Sequence, residues 1–86
     1  MDEGLVAALR WFPGRQRALE ALAAADESFR LLCADLAEAE GALQRWRVSA
    51  SAARDQRCSE YEELIEGLVG EIASYLDAEA GTSPAR

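Results

Sequence analysis

The chain has 86 residues, which allow one domain with a thin core. Its formal net charge is −7, and it contains neither His nor Lys. Without His, the usual Ser–His and Cys–His catalytic pairs and the His-containing di-iron sites are excluded. The two cysteines, Cys33 and Cys58, are too few for a disulfide framework or for a four-ligand zinc site. We therefore expect a non-catalytic protein that binds no metal ion and no cofactor.

The first predicted helix covers about residues 3–12. Leu5, Leu9 and Phe12 fall on one side of it. The Pro-Gly pair at 13–14 ends the helix, because the residue before a proline is disfavoured in the α region. This helix either folds over the rest of the chain or exchanges between subunits, and the sequence leaves both arrangements open.

The second predicted helix runs from about residue 15 to residue 47. Residues of high helix propensity dominate it, and large apolar residues recur every seven positions. The repeat consists of Leu22, Phe29, Leu36 and Leu43. A stripe of about four heptads is long enough for packing in a helical bundle.

A turn is predicted near residues 48–52, where large apolar residues are scarce and two serines offer caps. The alternative is one unbroken helix, since neither Gly nor Pro interrupts the segment. The third predicted helix covers about residues 53–78, and residues 81–86 form a flexible tail. The whole of 1–80 is one helical domain.

The two long helices are expected to pair as an antiparallel hairpin. One register sets both carboxylates that interrupt the first apolar stripe, Asp26 and Glu40, beside phenol hydroxyl groups. Charged hydrogen bonds of this kind contribute about 1.5–3 kcal/mol. The facing pairs are Phe29 with Ile72, Leu36 with Ile65, Asp26 with Tyr75, and Glu40 with Tyr61.

A homodimer is predicted because the apolar surface of the last helix is wider than one partner helix can cover. A line of small residues, Gly67, Gly70 and Ser74, lies beside that surface and permits close approach. The fold is therefore predicted to be all-α, a short N-terminal helix and a hairpin that dimerises into a four-helix-type bundle. Residues assigned to dimer or core packing are Leu22, Phe29, Leu36, Leu43, Ile65, Leu68 and Ile72.

The favoured function is a small protein–protein interaction module, such as an adaptor, a regulator or an assembly subunit. Its partners are expected to be a second copy and another protein, with no membrane and no nucleic acid. Trp and Arg are frequent energetic anchors of interfaces, and they cluster at the predicted hairpin tip. Candidate contacts are Trp46, Arg45, Arg47, Arg54 and Arg57 at the tip, and Leu5, Leu9, Trp11 and Phe12 at the start.

The alternative function is an acidic inhibitor that mimics nucleic acid and blocks a basic groove of a target protein. No basic residue occurs between Cys58 and Ala85, and carboxylates are dense there. The acidic face consists of Glu60, Glu62, Glu63, Glu66 and Glu71. A remote alternative is a magnesium-dependent nucleotide hydrolase, which would use acidic pairs three residues apart, Asp35 with Glu38 and Glu63 with Glu66.

Localisation is predicted from two features. The longest apolar run is too short to cross a bilayer, and the acidic start Met-Asp-Glu-Gly differs from the basic start of a secretory signal. We expect a cytoplasmic protein. The use of Arg without Lys, together with abundant Ala and Gly, indicates a GC-rich coding sequence of bacterial or phage origin.

Overall fold

The structure, a computed structural model, describes residues 2–81, and the regular secondary structure in this range is all helical. The fold class is therefore all-α. The four helices are α1 Glu3–Trp11, α2 Gln16–Ala25, α3 Glu27–Arg47 and α4 Arg54–Gly81. Residue 81 of the predicted tail ends α4, and the rest of that tail, 82–86, lies outside the described residues.

The segment predicted as one helix over 15–47 is two helices, divided at Asp26. The backbone of Asp26 is extended, and its Oδ1 accepts a hydrogen bond of 3.2 Å from the amide of Phe29. Asp is among the best N-cap residues, because its short side chain satisfies an amide that has no partner within the helix. The guanidinium of Arg30 also donates to the carbonyl of Ala23 near the end of α2. The first contact stabilises the start of α3, and the second joins α3 to the end of α2 across the break in the helix.

α3 and α4 pack against each other in antiparallel directions. The Phe29 ring near the start of α3 meets the Tyr75 ring near the end of α4 edge-on, with centroids 5.1 Å apart. At the opposite end, the guanidinium carbon of Arg57 lies 6.0 Å from the centroid of the Trp46 ring. The chain turns between α3 and α4, and the Ser51 hydroxyl accepts a 3.0 Å hydrogen bond from the amide of Ala53.

The two carboxylate–phenol pairs predicted for the hairpin are wrong. Tyr75 meets Phe29 and not Asp26, because the Asp26 carboxylate caps α3. Glu40 accepts hydrogen bonds from α1, not from Tyr61. The prediction considered only the two long helices, and α1 supplies the donors at Glu40.

α1 lies against α3 in the same chain and runs parallel to it. A Cβ atom placed on Gly4 would stand 2.7 Å from the amide nitrogen of Ala34 and 2.8 Å from the carbonyl carbon of Cys33. Only glycine permits this approach of two backbones. Seven residues later, Trp11 reaches Glu40. These two contacts fix the direction of α1.

The core lies between α3 and the three helices around it. Its largest fully buried side chains are Phe29, Leu19, Leu36, Ile72, Leu76 and Cys33. The remaining residues assigned to dimer or core packing, Leu22, Leu43, Ile65 and Leu68, are also buried. A single chain therefore buries Ile65, Leu68, Ile72 and Leu76 of α4, whereas Val69 is half-buried and Leu64 is 48% exposed.

The molecule is elongated, with extents of 54 × 26 × 21 Å and a radius of gyration of 14.8 Å. A compact chain of this length would have a radius of gyration of about 12 Å. Between residues 2 and 81, no helix combines the length and the apolar character that a membrane span requires. A long, thin bundle exposes much of each helix, so surface grooves between helices are expected.

Replacing Gly4 with Ala tests the contact between α1 and α3. The added methyl group meets backbone atoms that cannot rotate away, so we expect the free energy of unfolding to fall by about 1–3 kcal/mol. Gly67→Ala is the matched control, because a Cβ there has no neighbour within 4 Å. The control should raise stability by up to about 1 kcal/mol. Urea unfolding followed by circular dichroism measures both, and a Gly4→Ala chain as stable as the parent would contradict the packing.

Candidate protein-binding groove

A groove with a volume of about 1030 Å³ runs along α3 between α1 and α4. Each helix contributes one face to it. α1 supplies residues at Glu3, Val6 and Arg10, which are three and four positions apart. α3 supplies Ala37 and Gly41 among others, and α4 supplies a stripe that ends at Val69. The groove is therefore long, straight and parallel to the helices that form it.

The floor of the groove is apolar and shallow. Val6, Ala37 and Val69 are half-buried, so part of each side chain still faces solvent. Gly41 is also half-buried, and a Cβ atom built on it would meet only the end of the Arg45 side chain, at 3.5 Å. Small residues on the floor allow another backbone to approach α3 closely.

The rim of the groove carries more negative than positive charge. Five Glu and two Arg residues line it. Both arginines are already paired, Arg10 with Glu40 at 3.2 Å and Arg47 with Glu62 at 3.5 Å. The other three carboxylates, Glu3, Glu63 and Glu66, take part in no ion pair within residues 2–81.

Glu40 holds one wall of the groove in place. Its side chain is 24% exposed, and it accepts hydrogen bonds from Trp11 Nε1 at 2.6 Å and from Arg10 Nη2 at 3.2 Å. The residue before the Pro-Gly turn, Phe12, packs against the core from the same end of α1. A partly buried carboxylate with two donors is well satisfied, so Glu40 positions α1 on α3.

The predicted basic tip has little free positive charge. Arg54 pairs with Asp55 at 3.2 Å, and Arg57 pairs with Glu60 at 3.0 Å. Arg47 is paired across the groove, as described above. Trp46 is half-buried beneath Arg57, while the side chain of Arg45 extends back toward Gly41. The tip residues are close together, but carboxylates of α4 offset most of their charge.

The predicted apolar anchors at the start of the chain do not form one exposed surface. Leu5 is 8% exposed and belongs to the core, where it packs against α3. Leu9 and Phe12 are half-buried against the same core. Trp11 alone is strongly exposed, at 48%, and its ring lines the groove. The amphipathic pattern was correct, but it describes how α1 packs on its own chain.

The acidic face is divided into two sides. At about 3.6 residues per turn, Glu62 and Glu66 lie on the groove side of α4, whereas Glu60 and Glu71 lie on the opposite side. Glu63 stands between these sides and still lines the groove. The five carboxylates therefore do not form one row along α4, and the nucleic-acid mimic stays a prediction.

The acidic pairs predicted to bind magnesium form no metal site within the described residues. Within residues 2–81, no group of three or more Cys, Asp or Glu side chains is close enough to hold a metal ion. Asp35 and Glu38 are exposed on α3, and Glu63 and Glu66 face the groove from α4. The two pairs do not converge, and the magnesium hydrolase has no support from their arrangement.

No protein-family model, no curated protein and no solved structure matches this chain. Only the geometry and the charge of the chain therefore bear on its function. The groove residues Glu3, Val6, Ala37 and Gly41 were not assigned to a partner by sequence reasoning. A valine off the main stripe and a glycine within a helix were the available signals, and both depend on which helices lie beside them.

Replacing Glu40 tests the wall of the groove. Glu40→Ala removes the acceptor of Trp11 and Arg10, so we expect the free energy of unfolding to fall by about 1.5–3 kcal/mol. Glu40→Gln keeps an acceptor oxygen and should lose less. Urea unfolding measures both variants, and the fluorescence of Trp11 should change in the native state. Equal stability of all three proteins would contradict the role of Glu40.

The two cysteines should differ in reactivity. Burial, with a smaller contribution from Asp2, raises the pKa of the Cys33 thiol to about 11, so this thiol stays protonated and unreactive near neutrality. Cys58 is half-buried and reachable. Iodoacetamide at about pH 8 should modify Cys58 first and Cys33 only after unfolding in urea, as mass spectrometry of peptides would show. Equal rates in the native protein would contradict the burial of Cys33.

The same pKa shift makes the fold less stable above about pH 9, where only the unfolded thiol ionises.

Proposed function

We propose that this chain is a small non-catalytic protein–protein interaction module whose partner segment lies in the groove between α1 and α4. An adaptor, a regulator and an assembly subunit all fit this description. One observation supports it above the others. The chain covers its own core, yet it leaves a long groove with an apolar floor open to solvent. Apolar residues grouped in a groove and rimmed by polar ones are typical of binding sites.

Trp11 adds support for a protein partner. Its indole nitrogen is held by Glu40, so the ring has a fixed orientation, while about half of its surface remains exposed. Rigid, partly exposed Trp side chains are common energetic anchors because little entropy is lost when they are covered. The tip ring, Trp46, is less accessible and lies against Arg57.

Homodimerisation remains a prediction, but it now depends on a different surface of α4. Ile65, Leu68 and Ile72 are buried within one chain, so they do not require a second copy. The surface left for self-association is the small-residue line Gly67–Ser74 with Leu64, which is 48% exposed. The mass of the purified chain in solution tests this prediction, and Leu64→Ser should shift a dimer of this kind toward monomer. Binding of other partners is then measured at concentrations at which the parent chain is a monomer, so that this surface is not occupied by a second copy.

The groove is tested by filling it. Gly41→Leu projects a side chain into the groove without meeting the core, and it improves helix propensity by about 1 kcal/mol, so the variant should fold at least as well as the parent. Gly67→Leu places the same side chain on the outer face of α4 and is the matched control. Selection of a displayed library of helix-forming peptides on the parent should enrich a family of sequences.

That family should bind the Gly67→Leu chain as it binds the parent, and it should lose at least tenfold in affinity for the Gly41→Leu chain, since a leucine occupies the floor. Equal binding to both variants would place the partner elsewhere and overturn the proposal. A library that yields no enriched family would overturn it as well.

A further inference from the structure

We infer that the occupant of the groove is a positively charged amphipathic helix of another protein. This inference rests on the proposed function and specifies the partner. The apolar side of such a helix would cover Val6, Ala37 and Val69, and its Lys or Arg residues would lie beside Glu3, Glu63 and Glu66. Amphipathic helices that lay an apolar face into a groove are a common mode of peptide recognition.

The shape of the groove favours a helix. α3 contributes residues from 37 to 47 and α4 from 59 to 69, so the α3 floor and the α4 wall are each about 15 Å long at 1.5 Å per residue. The α1 wall, from Glu3 to Trp11, is about 12 Å long. About three turns of helix fit this length. Gly41 and Ala37 are the small residues that α3 contributes to the lining, and at these two positions a helical backbone can come close to α3. An added helix would complete a four-helix packing around the groove, with α1, α3 and α4 as the other three.

The charges favour a basic occupant. Glu3, Glu63 and Glu66 face the groove without an ion pair within the described residues, and they repel one another. The two groove arginines are engaged by Glu40 and Glu62 and do not offset these three. Cations placed beside the rim would remove this repulsion. The net charge of −7 would also speed the encounter with a basic partner.

The same charges disfavour two other occupants. A second copy would bring another net charge of −7 to a rim that is already acidic. An acidic or neutral helix would bury Glu3, Glu63 and Glu66 without a partner, and a buried carboxylate without a donor or cation is costly. Selectivity therefore comes from the rim, while most of the affinity comes from the floor.

The test uses three synthetic peptides of about 14 residues, a length that gives about four helical turns. The first has Leu and Ala on one helical face and Lys on the flanks. The second has the same pattern with Glu in place of Lys. The third has the composition of the first in an order that is not amphipathic. Fluorescence anisotropy measures the affinity of each labelled peptide for the full chain at low salt and at physiological salt.

We expect the basic amphipathic peptide to bind at least tenfold more tightly than either of the others. Glu63→Gln with Glu66→Gln should weaken it by about five- to tenfold at low salt and by less at physiological salt. Glu60→Gln with Glu71→Gln removes the same net charge from the opposite side of α4 and should change affinity by less than about twofold. Gly41→Leu should abolish binding of this peptide, and Gly67→Leu should not.

Other results would overturn the inference in distinguishable ways. If the acidic peptide binds as tightly as the basic one and Gly41→Leu blocks both, the groove binds helices without preference for cations, and the proposed function survives. If the scrambled basic peptide binds equally and Gly41→Leu has no effect, binding is diffuse attraction and both proposals fail. If no peptide binds, or if Gly41→Leu converts a dimer of the chain to a monomer, the occupant is not a basic helix.

Discussion

The parallel contact between α1 and α3 is the constraint on which the rest of the structure depends. At one end, Gly4 lets the two backbones approach near Cys33 and Ala34. At the other end, Glu40 holds Trp11 and Arg10. One contact limits distance and the other limits rotation, so α1 has a defined direction although it has only 9 residues. Isolated helices of this length are marginal in water, and α1 therefore exists because of these tertiary contacts.

The position of α1 also determines where apolar surface remains exposed. Ala7 and Ala8 are fully buried, and Leu5 is nearly so, which turns the opposite side of α1 with Val6 toward α4. α1 and α4 contact each other only slightly, so α3 stays open between them. The groove is the gap left when two helices pack on the same third helix without closing on each other.

The helical elements and the core were predictable from the sequence because their signals are local. The recurrence of Phe29, Leu36 and Leu43 identifies the buried side of α3 whichever partner lies on it. The division at Asp26 was not predicted, because Asp26 was interpreted as a carboxylate that interrupts the apolar stripe of one continuous helix. Its side chain instead caps α3, and capping competes with helix continuation at this residue. The position of α1 was left open because the sequence does not show which backbone lies against Gly4. Only the packed structure shows that Gly4 is needed for the close approach to α3.

The candidate site was less predictable than the core, because a surface is defined by what surrounds it. Gly41 has no side chain that would mark it as part of a site, and it lines a groove only because α1 and α4 lie on either side of α3. The basic tip was predicted to contact a partner, but Arg47, Arg54 and Arg57 each have a carboxylate within 3.5 Å. Sequence order shows where charges are dense, whereas only the packed helices show which charges cancel.

The pattern of ion pairs supports the proposed preference of the groove for a basic partner. Exposed ion pairs contribute little to stability, commonly up to about 1 kcal/mol, so the pairs of the tip and of the groove arginines are of minor importance for folding. Their effect on the local field is larger, because they pair Arg10, Arg47, Arg54 and Arg57 with carboxylates, whereas Glu3, Glu63 and Glu66 of the groove have no ion pair within residues 2–81. Those carboxylates lie at the edge of an apolar floor, where partial exclusion of water by an occupant strengthens every charge interaction. A surplus of negative charge spread evenly over the surface would attract any cation weakly, whereas a surplus beside an apolar groove favours a partner whose own apolar and basic residues share one helix.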